Sequence, residues 1–216
     1  NEKDSVIIIS NQENKNLLNK LSSNYSTLVK IVLIITISAY LLIRTFYIHI
    51  YTPNLAGNEN NVVYGIQRMM SKLTLYSNPE LPPYAIIQYT PLYYKIVFFI
   101  WKIFHIDSTD VFSIYIAGRF IALFFNICYA IVIFLITRII FLKKNIDCLL
   151  ISSIALLNLS WFSFSRPDSL YFFLFALSLF FLLKYLKVDT INKSLYLYLS
   201  IIFSVLFIYF KLLCII

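Results

Sequence analysis

Residues 111–141 read VFSIYIAGRFIALFFNICYAIVIFLITRIIF, with Arg119 and Arg138 the charged members of the run. As a helix this stretch extends roughly 46 Å, at about 1.5 Å per residue. The hydrocarbon core of a bilayer is about 30 Å thick, so the helix crosses it and must tilt or project beyond it. Four further apolar runs accompany it: Ile31 to Tyr51, Cys148 to Phe164, Ser169 to Leu183, and Leu195 to the end. A shorter stretch, Pro91 to Ile106, carries Lys95 and Lys102 on one helical face, which predicts an amphipathic surface helix. The expectation is an all-α, polytopic transmembrane helical bundle with five spans.

Composition agrees with this reading and excludes others. The 216 residues are 60% hydrophobic, 18% aromatic and 13% charged, and the mean hydropathy is +0.80. Soluble domains carry about a quarter charged residues and cannot hide this much Ile, Leu, Phe and Tyr. With three Gly, six Pro and three Cys, the chain is neither collagen-like nor a disulfide scaffold. Cys128, Cys148 and Cys214 lack metal-ligand spacing. The chain starts at Asn1 without Met and stops in an apolar run at Ile216, so it reads as the front of a longer protein, truncated at the C-terminus.

Lys and Arg in short loops set orientation. Arg138, Lys143 and Lys144 flank one turn and Lys184, Lys187 and Lys193 another, which places both in the cytoplasm. The tail, residues 1–29, is then a cytoplasmic lead-in with Lys3, Lys15 and Lys20, and residues 30–216 form the membrane module. The loop 52–110 and the link around Arg166 to Asp168 become external. The formal charge of +8 lies along these inner rims, not on one basic domain, so nucleic acid is not an expected partner.

Polar residues stand out where hydrocarbon is the default environment. Arg44, Glu59, Arg68, Glu80, Asp107, Asp110, Arg119, Arg166, Asp168 and Lys211 come from separate segments, yet all fall at the external face. Each also has a plain structural reading. Arg44 and Lys211 suit snorkelling to the interface, Arg119 a pairing with Asp110, and Arg166-Pro-Asp168 a helix boundary. The external loop holds five of the six Pro and two of the three Gly. Within it, Asn60 to Leu75 is expected to form a helix with Val63, Ile66, Met70 and Leu73 on one face. Tyr89, Tyr93 and Tyr94 suit either interfacial anchoring or stacking on a sugar ring.

Gly57-Asn-Glu-Asn60, Leu75-Tyr-Ser-Asn-Pro79, Tyr89-Thr-Pro-Leu-Tyr-Tyr94, Gly118-Arg119 and Arg166-Pro-Asp-Ser-Leu170 follow one another in a characteristic order relative to the spans. In this the chain resembles membrane glycosyltransferases of the C superfamily, the group of the protein mannosyltransferases, the lipid A aminoarabinose transferases and the bacterial RgtA/B/C/D-like proteins. The resemblance covers about Arg44 to Leu183. It implies the N-terminal module of such a fold, an external loop with interfacial helices, and an active site outside the plasma membrane. It further implies a polyprenyl-phosphate-linked sugar donor, a glycan, lipid or protein acceptor of the cell envelope, and inverting transfer of a hexosyl or pentosyl group. Glu59 matches the acidic residue of the first external loop and is the candidate catalytic base. Asn58 stands where the family often has a second carboxylate. Arg119, Arg166, Lys211 and Arg44 are candidates for the donor phosphate, and Asp168, Tyr89, Tyr93 and Tyr94 for substrate. No cofactor is required by the sequence, and a divalent metal is compatible with it. Two competing expectations are a transporter, flippase or polysaccharide polymerase of the same pathways, and a non-catalytic assembly protein.

Overall fold

The computed structural model describes residues 2–50, 59–76, 78, 80, 87, 89–105, 107, 109–141, 145–159, 164–187 and 193–212, with side chains from 23 to 209 within those segments. The fold is all-α: among the described residues there are seven helices and no strand. They are α1 (Glu2–His49), α2 (Glu59–Met70), α3 (Pro91–Phe104), α4 (Val111–Phe141), α5 (Asn145–Asn158), α6 (Asp168–Lys187) and α7 (Lys193–Leu212). The chain divides into two units, Asn1–Leu41 and Leu42–Ile216. The first consists of the long N-terminal part of α1, whose hydroxyls bond back within the helix, as Thr36 does to the Val32 carbonyl. Residues 2–49 contain neither Gly nor Pro, so nothing interrupts the helix, and it already includes the residues expected to be a lead-in.

Three helical stretches are long and apolar enough to cross a membrane: Ser23–His49, Val111–Ile140 and Asp168–Lys187. Asn145–Asn158 and Lys193–Tyr209 are shorter apolar stretches. The expected five spans thus become three on length. The third falls short because α5 stops at Asn158, and 14 residues reach only about 21 Å. A membrane protein is nonetheless what these helices require.

Helices α4, α5, α6 and α7 pack in the order α5–α4–α6–α7, while α2 and α3 cover one end of α4. Hydroxyls join the packed helices where bulkier groups would hold them apart. Ser178 and Ser204 share a hydrogen bond of 2.6 Å across α6 and α7, and the Ser200 hydroxyl donates to the Ser178 carbonyl at 3.0 Å. The main core gathers Val62, Val63 and Ile66 of α2, Tyr93, Tyr94 and Val97 of α3, and Ile114 and Tyr115 of α4.

Local signals explain the helix ends that shape this cover. Pro91 opens α3, where its missing N–H costs nothing, and Lys95 and Lys102 are exposed opposite the buried Tyr94 and Val97. The expected helix to Leu75 ends five residues early. Lys72 takes a left-handed φ of 59°, the Leu73 N–H returns to the Arg68 carbonyl and the Lys72 N–H to Met69. Val63, Ile66 and Met70 are buried as expected, whereas Leu73 is left exposed beyond the cap. Asp110 caps α4 by accepting the Ser113 N–H at 3.0 Å, with the Ser113 hydroxyl on its other oxygen. These bonds hold the exposed Asp110 carboxyl below its ordinary range.

Candidate functional site

Glu59 opens α2, where the positive end of the helix dipole favours an acidic side chain. It is 0% exposed. A buried carboxylate needs compensation, and it comes from Arg119, two turns into α4. The guanidinium meets both carboxylate oxygens, Nε to Oε1 at 2.8 Å and Nη2 to Oε2 at 2.9 Å. Its remaining Nη1 donates to the Ile50 carbonyl at 2.9 Å and towards that of Tyr47 at 3.4 Å. These are carbonyls at the C-terminal end of α1, which lack partners within the helix and carry its negative pole. The Tyr115 ring lies beneath the same guanidinium at 5.3 Å, and its hydroxyl donates to Asn60.

A fourth segment enters through Ser165, whose backbone N–H donates to Glu59 Oε1 at 2.9 Å. The α5–α6 link can approach only because residue 118 is glycine. A Cβ there would lie 2.0 Å from Ser165 Oγ and 2.8 Å from its Cβ. Tyr93, from α3, points its hydroxyl at the Gly118 carbonyl at 3.4 Å, and burial pushes that hydroxyl well above the ordinary tyrosine range. One pair, Glu59–Arg119, therefore pins the end of α1, the start of α2, the first third of α4 and the α5–α6 link together.

The link continues into a second, more open pair. Arg166 Nε lies 3.0 Å from Asp168 Oδ2, with side chains 20% and 26% exposed. The contact is one of charge rather than an aligned hydrogen bond. Arg166 Nη2 donates to the Tyr89 hydroxyl at 3.3 Å. Partial burial opposes the guanidinium's charge, but the Asp168 carboxylate and Tyr89 outweigh it, so its pKa stands above the ordinary arginine value.

The structure thus brings together Glu59, Arg119, Arg166, Asp168, Tyr89 and Tyr93. Arg119 meets Glu59, whereas Asp110, the pairing read from sequence, is occupied as a helix cap. Tyr93 and Tyr94 are 0% exposed, so in this conformation their rings belong to the core, and half-buried Tyr89 is the tyrosine that faces the opening. The Tyr94 ring fills the space over Gly65, where a Cβ would sit 2.7 Å from Tyr94 Cε1. Arg44 is half-buried in α1, one turn before Tyr47. Lys211 is in the last turn of α7, and its side chain lies outside the described residues, as do Gly57 and Asn58. The Ser165 N–H and the α1 carbonyls were invisible to motif reading, since backbone groups leave no residue signature. Gly118, alone among the apolar runs, was the legible trace of the close approach. No group of three or more His, Cys, Asp or Glu able to hold a metal occurs among the described residues.

Beside this cluster, an apolar groove of about 780 Å³ runs between α3 and α4. Ile96, Ile100 and Phe104 line it from α3, and Ile116, Phe120 and Phe124 from α4. By helical periodicity the α4 residues lie on the face opposite Arg119. The notebook of apolar spans pointed to α6 and α7 for such a groove; the described one lies at α3. Searched against family models, curated proteins and solved structures, the chain matches none of them.

Proposed function

We propose that the protein is a membrane glycosyltransferase that moves a sugar from a polyprenyl-phosphate donor to a cell-envelope acceptor, on the side of the membrane where α1 ends and α6 begins. The observation that carries this reading is the layout of α3. Tyr89, just before its start, meets the Arg166–Asp168 pair, and the rest of the helix lines an apolar groove. An amphiphilic substrate needs such a neighbourhood, with charge recognition at one end and hydrocarbon contact along the other.

In this reading Arg166 takes the donor phosphate and stabilises the charge that grows on it as the sugar leaves. An acceptor hydroxyl attacks the anomeric carbon, the bond from that carbon to the phosphate oxygen breaks, and the hydroxyl proton passes to a carboxylate. Asp168 is the partly open carboxylate beside Arg166, and proton removal of this kind contributes about 100- to 10,000-fold. Glu59, enclosed by Arg119 and the Ser165 N–H, acts as the positioning residue that holds the link bearing both groups.

The test is release of polyprenyl phosphate from a panel of lipid-linked hexoses and pentoses by membranes containing the protein. One donor is expected to be consumed, with the reaction lost in Asp168→Asn and Arg166→Gln at unchanged protein level. Consumption of no donor, or unaltered rates in both variants, sinks the proposal. Movement of the intact lipid-linked sugar across the membrane without bond cleavage makes the protein a transporter instead.

A further inference from the structure

At the opposite end of the bundle, where α4 and α6 finish and α7 starts, four cations gather: Arg138, Lys184, Lys187 and Lys193. They are not equivalent. Lys187 Nζ donates to the Ile139 and Ile140 carbonyls at 3.4 and 3.3 Å, so it caps the C-terminus of α4. Arg138 is exposed, its guanidinium 5.9 Å from the centre of the Phe134 ring. Lys184 and Lys193 form a reciprocal pair across the α6–α7 junction. The Lys184 ammonium of α6 lies over Tyr196 of α7 at 5.8 Å, and that of Lys193 in α7 lies over Tyr185 of α6 at 5.6 Å. Phe180 supports Lys184 from its own helix at 5.7 Å.

Aromatic faces attract an ammonium without using up its N–H donors. Both side chains are half-buried, so two long, rotamer-rich cations are already ordered at one junction. Leu186 and Leu195, at 63% and 52% exposed, leave apolar surface beside them. Asp147, in the first turn of α5, is the acidic residue described at this end of the bundle, against four cations. A preordered double positive charge flanked by exposed leucines is complementary to a phosphate with hydrocarbon attached.

We propose that Lys184 and Lys193 form a headgroup site for an anionic phospholipid at the α6–α7 junction. The lipid phosphate accepts from both ammonium groups, and its chains lie against Leu186 and Leu195. Arg138 adds long-range attraction, while Lys187 stays on the α4 carbonyls. The inference is independent of the proposed enzymatic activity, which concerns the other end of the bundle.

The test is lipid retention by the purified full chain, in micelles doped with phosphatidylglycerol or phosphatidylcholine and read by native mass spectrometry. Juxtamembrane lysines contribute about a factor of five each, so Lys184→Gln with Lys193→Gln is expected to weaken phosphatidylglycerol binding by about 30-fold. Phosphatidylcholine binding stays unchanged, Lys30→Gln has no effect, and Lys184→Arg with Lys193→Arg retains the anionic preference. If the glutamine variant does not fold, the wild type is titrated with sodium chloride, which must erode its preference. Equal binding of both lipids, an anionic preference that survives loss of both charges, or one insensitive to salt overturns the proposal. Displacement of the lipid by millimolar inorganic phosphate alone would also overturn it, by reducing the site to one for a free anion.

Discussion

Replacing Glu59 by Gln removes the negative member of a pair in which the side chains are 0% and 3% exposed. Breaking a buried pair by neutralising one partner costs about 3–5 kcal/mol, because the other charge is left uncompensated. Here the Ile50 and Tyr47 carbonyls remain in contact with Arg119 and return about 1 kcal/mol as the pole of α1. The expected loss is therefore about 2–4 kcal/mol, which for a chain of this size lowers the unfolding midpoint by about 4–16 °C. Arg119→Gln should cost a similar amount, since it strands the carboxylate with the Ser165 N–H alone among the bonds described above. The double variant Glu59→Gln/Arg119→Gln should cost little more than either single one. That cycle gives a coupling of at least about 2 kcal/mol, measured by thermal unfolding of the detergent-purified protein. Additive costs, or a Glu59→Gln midpoint within a degree of wild type, would refute the pinning role. The same variants separate the two carboxylates, because Asp168→Asn should abolish transfer with its midpoint unchanged, whereas Glu59→Gln loses transfer and stability together.

Gly118→Ala should destabilise by about 1–3 kcal/mol through overpacking, and Ser165→Gly in the same chain should recover most of the loss in a thermal melt. Lys72→Gly, at a left-handed helix cap, should raise stability by about 1 kcal/mol, and no gain in midpoint would count against the cap geometry. The depressed Asp110 carboxyl contributes stability that is present above its unfolded value of 3.8 and disappears as pH falls through the lower folded value. The difference in midpoint between wild type and Asp110→Ala should therefore be constant at neutral pH and shrink as pH drops below about 4, and a gap that widens there would contradict the assignment.

How much could be read from the letters alone follows from what each feature depends on. The span at Val111–Phe141, the helix opened by Pro91 and the helix following Glu59 rest on local composition and periodicity, and they appear where expected. Helix ends were less legible. Leu73 fits the apolar spacing of α2, but a left-handed Lys72, with no Gly to announce it, turns the chain away first. The third expected span counted apolar residues beyond Asn158, whereas crossing needs an unbroken helix.

For the site, the sequence marked scarce charges in a low-charge chain and thereby picked out Glu59, Arg119, Arg166 and Asp168. It could not choose among pairings, because Asp110 and Glu59 are equally plausible partners for Arg119 until the chain is folded. The tertiary structure chose: the separation of 60 residues between Glu59 and Arg119 is closed by packing α2 on α4, and the Ser165 N–H arrives only through the opening that Gly118 leaves. Membrane class and helical content follow from hydrophobicity, which is additive along the chain. Which carboxylate is sealed in and which stays at the opening follows from burial and geometry, and these exist only once distant segments meet.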